Sequence, residues 1–319
     1  MLSRVAENIY WLSRYMERAE NTVRLVNTHS YMLLDMPTVS DHQGWIPLVI
    51  ISGQDEDFAE TGRQANEQTI VSFMLSEEKN AGSLLNGFKA VYNNLRCCRD
   101  IIPKSSYEAI NSLCRFFIEN VDNCTGSTAG RADFLRQVED RLLAVSAGMN
   151  SNMSHDLAYR FMRMGCYLER ADMTSRIIDV QSSPYLSGAT AREDILVQQQ
   201  RWIAVLKTLS AFQMYRQHVR HPVNGVDTLS FLLNDRQLPR SYYFCLIHLE
   251  HCLDELENDA SVREAITTLK YRLINADTEK LANDPAGLHQ FLDSLQLGML
   301  DVGSAIASTY FPPPPAQDR

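Results

Sequence analysis

No window of this 319-residue chain approaches the ~20 uninterrupted apolar residues that a membrane span requires. Its opening, MLSRVAENIYWLSR, places Arg4, Glu7 and Arg14 where an export signal needs an apolar run, so no signal peptide is read and a cytoplasmic location is expected. Basic excess is missing as well. The 30 Lys and Arg stand against 39 Asp and Glu, a net charge of -9, which leaves no electrostatic footprint for nucleic acid or an anionic membrane surface. Seven cysteines, at 97, 98, 114, 124, 166, 245 and 252, form an odd set without a C-x-x-C pair. That argues against a disulfide framework or a structural zinc site and for reduced, mostly buried thiols, with Cys166 read as a small core hydrophobe. Strand-type alternation is nearly absent, and so are a Gly-rich phosphate loop, a Walker motif and a nucleophile elbow.

What is present is a repeated charged block inside two apolar helices. Ile9 to Val26 reads IYWLSRYMERAENTVRLV, and Phe161 to Ile178 reads FMRMGCYLERADMTSRII. The two align without a gap at an offset of 152, with Tyr15/Tyr167, Glu17/Glu169, Arg18/Arg170, Ala19/Ala171, Thr22/Thr174 and Arg24/Arg176 identical. Ile9, Leu12, Met16, Ala19, Val23 and Val26 step by three and four, one apolar stripe of a helix. At 100° per residue a second strip lies beside it, carrying Glu17, Glu20 and Arg24 in the first block and Glu169, Asp172 and Arg176 in the second. Arg18 and Arg170 fall on a different side of their helices and are expected to brace neighbours, as is Arg14.

The rest of the chain reads as further helices, which makes the fold all-α, a single large helical bundle over residues 1–311 ahead of a Pro-rich tail at 312–319. Helix one is expected from Ser3, as N-cap, to Leu34, with Pro37 stopping it. A short buried element begins near Pro47, a strand being the alternative, and the acidic stretch 54–68 reads as loop with one helical turn. Helices follow over 69–75, 81–102 and 105–121, the last capped by Ser105 or Ser106, and 124–131 reads as a linker. Further helices are expected over 132–149, the second charged block to Val180, 190–219, a short element at 227–233, one from Pro239 through Leu256, 261–276 and 285–309. The segments 1–123 and 132–311 each hold a long charged helix followed by shorter elements, so an internal duplication about a pseudo-two-fold is one organisation that fits.

If the two strips face each other, Glu17, Glu20, Glu169 and Asp172 meet Arg24 and Arg176, and four close carboxylates need counter-charges. Three readings stay open. The arginines neutralise the carboxylates as a buried network; the cluster binds a cationic or amine-bearing ligand, or Mg²⁺ holding a phosphate; or Glu17 or Glu169 serves as a general base. No cofactor is otherwise expected. A di-iron site is disfavoured because Glu-x-x-His is missing from both blocks. His248, Cys252 and Glu255 at helical spacing read as a solvated surface rather than a zinc site, there being no H-E-x-x-H. Arg240, in Pro239-Arg240-Ser241, either aims a guanidinium at a carboxylate or phosphate or lies exposed in a first helical turn.

Together MLSRVAENIYWLSRYMERAENTVRLV, YLERADMTSRIIDV, LSAFQMYR and FLLNDRQLPRSYYFCL resemble the alpha-E family of bacterial proteins over nearly the whole chain. The resemblance implies a compact helical domain, found alone or joined to a circularly permuted ATP-grasp amidoligase-like domain, often beside transglutaminase-like proteins. By position its signature falls on Arg14, Glu17, Arg18, Ala19 and Glu20, on Glu169, Arg170, Ala171 and Asp172, and on Pro239, Arg240 and Ser241. Where the family has Gly-Arg-Tyr this chain has Gly165-Cys166-Tyr167, one cation fewer, and its Arg-Glu-Asn-Ala-Arg element is Tyr92-Asn93-Asn94-Leu95-Arg96 here. The functional expectation is a binding or accessory protein of an ATP-grasp-type ligase in peptide or amide-bond modification, with a ligand held by Glu17, Glu20, Arg24, Glu169, Asp172, Arg176 and Arg240. The alternatives are an enzyme forming or cleaving amide bonds with a Glu base, and a purely structural oligomer whose strips lie at a subunit interface.

Overall fold

A computed structural model of the protein describes residues 3–35, 44–182 and 195–312, and among these it contains fifteen α-helices and no strand. Two helices organise the rest: α1 (Ser3–Asp35) and α8 (Leu157–Ser182), which carry the two charged blocks. They run in the same direction, since contacts advance together along both, from Arg14 with Glu169 to Glu17 with Arg170. At about 1.5 Å per residue α1 is about 50 Å long.

Other elements wrap this pair. The apolar run around Pro47 is helical, α2 (Ile46–Ile51) with the proline in its first turn, and it buries Leu48, Val49 and Ile51. The acidic stretch yields α3 (Asp55–Glu60), anchored by buried Phe58, and Asn66 makes a reciprocal cap with Thr69 to start α4 (Glu67–Leu75). Then α5 (Leu84–Cys97) and α6 (Lys104–Glu119) lead to α7 (Thr128–Asn152); α5 and α7 both lie against α1. After α8 come α9 (Ile195–Thr208), α10 (Phe212–His218), α11 (Gly225–Asn234), α12 (Tyr242–Cys252), α13 (Ala260–Ile274), α14 (Thr278–Asn283) and α15 (Pro285–Tyr310). The faces of α8 turned from α1 are covered by α12 and α15, which makes one bundle with α1 and α8 at its centre.

Several boundaries differ from the sequence expectation, each for a local reason. Ser3 lies inside α1 and donates its hydroxyl to the Tyr310 carbonyl at 2.7 Å, so it ties the helix to the end of α15 instead of capping it. The helix at 105 starts from Pro103, and Ser106 is buried in its first turn. The supposed linker 124–131 is mostly structured: a 3-10 turn spans Val121–Thr125, and Ser127 caps α7 through Gly130 N. The single helix expected over 190–219 is two, because Ser210 adopts φ 52 and breaks it between α9 and α10 while the apolar stripe continues across. Its expected start at Thr190, like Pro37 and residues 313–319 of the tail, lies outside the described residues. The short α14 escaped detection because it buries no side chain and rests on an Asp277 cap. Beyond the paired blocks a duplicated architecture is not shown: α1 leads through α2 to α6, whereas α8 is followed by a different series of lengths and breaks.

The carboxy-terminal half of α1 buries His29, whose Nε2 donates to the Gly44 carbonyl at 2.6 Å against the edge of Trp45. Burial holds this imidazole down at about 4, against about 6.5 when unfolded. An imidazole depressed in the folded state contributes stability above the unfolded value and loses it as pH falls toward the folded one. Denaturation at successive pH values is therefore expected to show on the order of 3 kcal/mol lost between pH 6.5 and 4, with His29→Gln flattening that slope.

Candidate functional site

Where α1 and α8 cross, the backbones nearly touch. A Cβ on Gly165 would sit 2.3 Å from the Tyr10 carbonyl oxygen and 3.2 Å from Arg14 Cγ, so only glycine permits this approach. The close crossing brings each Glu-Arg pair within reach of the other. Arg170 donates Nε and Nη2 to the two oxygens of Glu17 at 2.9 and 2.7 Å. Arg18 does the same to Glu169 at 2.5 and 3.0 Å. The pairing is reciprocal, glutamate of each block to arginine of the other. Arg18 and Arg170 lie off the strip of their own helix and brace a neighbour, as helical projection placed them; the neighbour is the other charged helix, crossed so closely that its glutamate lies on that side.

The remaining charges complete two unequal clusters. Arg14 Nε and Nη2 both bond Glu169 Oε2, at 2.9 and 2.8 Å, so this glutamate holds two guanidiniums. At the offset-matched position of Arg14 stands Cys166, and its thiol donates to Glu17 Oε2 at 3.3 Å. The cation absent there is supplied from elsewhere, by Arg240, which reaches Glu17 Oε1 at 3.5 Å, Glu20 at 2.5 Å and Asn21 Oδ1 at 2.9 Å. Its position is set locally, because Ser241 caps α12 through Phe244 N at 3.0 Å and the Arg240 carbonyl accepts from Thr174 Oγ1 at 3.0 Å. Arg240 therefore meets carboxylates and is not an exposed first-turn residue. Arg24 pairs with Glu20 on its own helix and with Glu139 of α7 at 3.3 Å, while Asp172 pairs with Arg176 at 2.9 Å. The predicted residues are all present in the assembly, but each strip is neutralised mainly by residues off it.

Electrostatics follow the geometry. Glu17 and Glu169 are 5% and 1% exposed, and burial alone would raise both; the guanidiniums outweigh it and hold both carboxyls below the usual range, Arg170 ahead of Arg240 for Glu17 and Arg18 ahead of Arg14 for Glu169. Depressed carboxyls contribute stability above the unfolded value of about 4.3 and lose it as pH falls. Asp172 is shifted the other way, up, by burial first. Arg240 is brought down to about 10 by burial and by Arg24 beside it. Burial pushes the Cys166 thiol up to about 12, which leaves it a hydrogen-bond donor and a poor nucleophile. In native protein a thiol reagent is expected to find Cys97, the one exposed cysteine, and to reach the other six only on unfolding, as a count of modified thiols by mass spectrometry checks.

Asn21, Glu139 and Cys166 were not anticipated as members. Asn21 sits one turn beyond Glu17, a signal the sequence held, but nothing local tied Glu139 to α1. A narrow cleft of about 50 Å³, room for a few waters, reaches Glu17, Glu20 and Cys166 between α1, α7 and α8. No group of three or more His, Cys, Asp or Glu side chains arranged to hold a metal occurs among the described residues. Glu255 lies past the end of α12 and pairs with Arg160 at 2.7 Å, so it does not share a face with His248 and Cys252 as the spacing implied. No helix among the described residues is long and apolar enough to cross a membrane.

An all-helical bundle closed around two Glu-Arg pairs is the class of protein this geometry defines. The chain belongs to the Alpha-E family, whose model, described as "a predicted alpha-helical domain with a conserved ER motif", matches residues 1–311. The ER dipeptides are Glu17-Arg18 and Glu169-Arg170, the pairs that exchange partners across the crossing. Among curated proteins the chain is similar to uncharacterized proteins of Mycobacterium bovis and Mycobacterium tuberculosis, each 22% identical over 333 residues. The match takes in 96% of this chain and 36% of either relative, so the chain spans about a third of the length of the curated relatives it matches. No solved structure matches it.

Proposed function

We propose that this chain is a helical binding or accessory unit that works with an ATP-grasp-type amidoligase in peptide or amide-bond modification. The observation that carries the reading is the saturation of Glu17 and Glu169: each accepts a two-pronged guanidinium, and both are held below the ordinary carboxylate range. A general base works best with a pKa near the operating pH, and these two groups are shifted away from it. That favours a rigid, preformed scaffold over a proton-transfer centre. The inner members are sealed, whereas Arg18 and Arg176 keep 39% and 26% of their side chains exposed beside Asp172, so a ligand or ligase surface meets the network at this rim. The matched region in the mycobacterial relatives is part of a longer polypeptide, which fits a unit that operates beside other domains. Each carboxylate of the network meets a guanidinium of the same chain, so none needs a subunit contact for its partner.

The test is calorimetry and co-purification with a purified circularly permuted ATP-grasp protein from the same genome. Association or a changed ligase rate is expected, and Arg176→Gln should weaken it about tenfold at unchanged fold, as for a charged group at an interface rim. Neither binding nor a rate effect would remove the proposal. Amide-bond turnover by the chain alone, abolished by Glu17→Gln at unchanged Tm, would establish the enzyme instead.

A further inference from the structure

A second cavity, of about 320 Å³, lies between α1, α8 and α15, within the size range of small-ligand sites. It is distinct from the water-sized cleft on the α7 side, and nothing in the exchange of Glu17 and Glu169 uses it. Its walls are largely apolar and aromatic, with Tyr10 and Trp11 on α1 and Phe311 just past α15; the Tyr10 and Phe311 rings are 5.3 Å apart. Three charged residues also line it: Glu7, Arg14 and Asp172.

Arg14 is already committed. Its guanidinium bonds Glu169 twice and lies 4.9 Å over the Trp11 ring. The two carboxylates keep accepting capacity to spare. Glu7 is half-buried and has no ion-pair partner among the described residues. Asp172 gives Oδ2 to Arg176, while its Oδ1 is buried and receives no donor. A buried carboxylate oxygen without a donor is costly, on the order of 1–3 kcal/mol for an unsatisfied group and more when charged. Because the Asp172 side chain lines the cavity, a small rotation of its carboxylate presents that oxygen to a donor arriving there.

We propose that this cavity binds the cationic head of an aliphatic amine or of a lysine- or arginine-type side chain, between Glu7 and Asp172, with the stem against Tyr10, Trp11 and Phe311. An N–H-bearing cation supplies what both carboxylates lack, and aromatic walls favour such a head and its alkyl stem over an anion or a neutral polar group. The inference rests on reading the chain as a binding unit and names the chemistry it takes. Cations on peptide side chains and free amines share that chemistry, and the assay separates them.

The assay is isothermal calorimetry of the whole chain with n-pentylamine and, separately, with acetyl-Ala-Lys-Ala-amide. Saturable binding of at least one is expected, with 1-pentanol and acetyl-Ala-Gln-Ala-amide about tenfold weaker or worse. Binding of the peptide alone assigns a side chain, and of the amine alone a small molecule. Glu7→Gln should weaken binding about tenfold, since it removes one unpaired charge from the pocket. A blocking variant guards against misfolding: Gly303 lines the cavity, and a Cβ there meets only Leu168 Cδ1 at an ordinary 3.6 Å. Gly303→Leu should abolish binding while Tm holds or rises. Absence of saturable binding, equal binding of the neutral analogues, tighter binding of pentanoate, or variants that bind like the native chain would each overturn the proposal. Ligase association is measured on the same native chain; no saturable amine or peptide binding with ligase association intact sinks this inference alone, and amine or peptide binding without ligase association sinks the accessory reading alone.

Discussion

Replacing Glu169 by Gln is expected to cost about 3–5 kcal/mol of folding stability, the range for breaking a buried ion pair by removing one partner. The glutamate is 1% exposed and is the counter-charge of both Arg14 and Arg18. Glutamine keeps the shape and an acceptor, but it leaves the largely buried Arg14 without its counter-charge. Urea denaturation measures the loss directly, and Tm should fall on the order of 10 °C. Glu17→Gln should behave similarly, because Arg170 and Arg240 both lose a counter-charge there. A variant of unchanged stability would mean that the network is not what holds α1 to α8.

The second large effect is expected at Gly165. Alanine adds a single carbon, yet that carbon lands 2.3 Å from a backbone oxygen, and no side-chain rotation moves a backbone. The helices must part, and parting them lengthens at once the bonds of Arg170 and Cys166 to Glu17 and of Arg14 and Arg18 to Glu169. Overpacking alone costs about 1–3 kcal/mol, and the strained ion pairs add to it, so Gly165→Ala should lose at least about 3 kcal/mol or fail to fold. The contrast is Gly303→Ala, also in a helix interior: its Cβ makes an ordinary contact, and about 0.5–1 kcal/mol of stabilisation is expected from restricting the unfolded chain. Paired denaturation curves of the two alanine variants separate close approach from glycine content.

The all-α architecture and the two long helices were legible because apolar residues at three- and four-residue spacing, from Ile9 to Val26 and from Phe161 to Ile178, are a strong local signal. The break at Ser210 was not, since the stripe continues through it and a single left-handed residue has no compositional mark. For the site, the members were readable and the partnerships were not. Helical projection sorts Glu17, Glu20 and Arg24 onto one strip, but it describes a helix in isolation. Which guanidinium reaches which carboxylate depends on how closely the facing helix approaches, and that distance is decided by Gly165, a residue with no charge to draw notice. Glu139 and Arg240 come from distant elements whose approach no spacing encodes.

The exchange of partners across the crossing also changes how this family's short signature must be read through evolution. Glu17 answers to Arg170 and Glu169 to Arg18, so a substitution in one copy is felt first in the other copy, 151 or 153 residues away. Correlated changes among relatives are therefore expected between the copies and not inside either dipeptide. At 166, the position that matches Arg14 by offset, stands a cysteine, and Glu17 takes its second guanidinium from Arg240, in a third part of the chain. The two ER dipeptides are not two sites but the two halves of one.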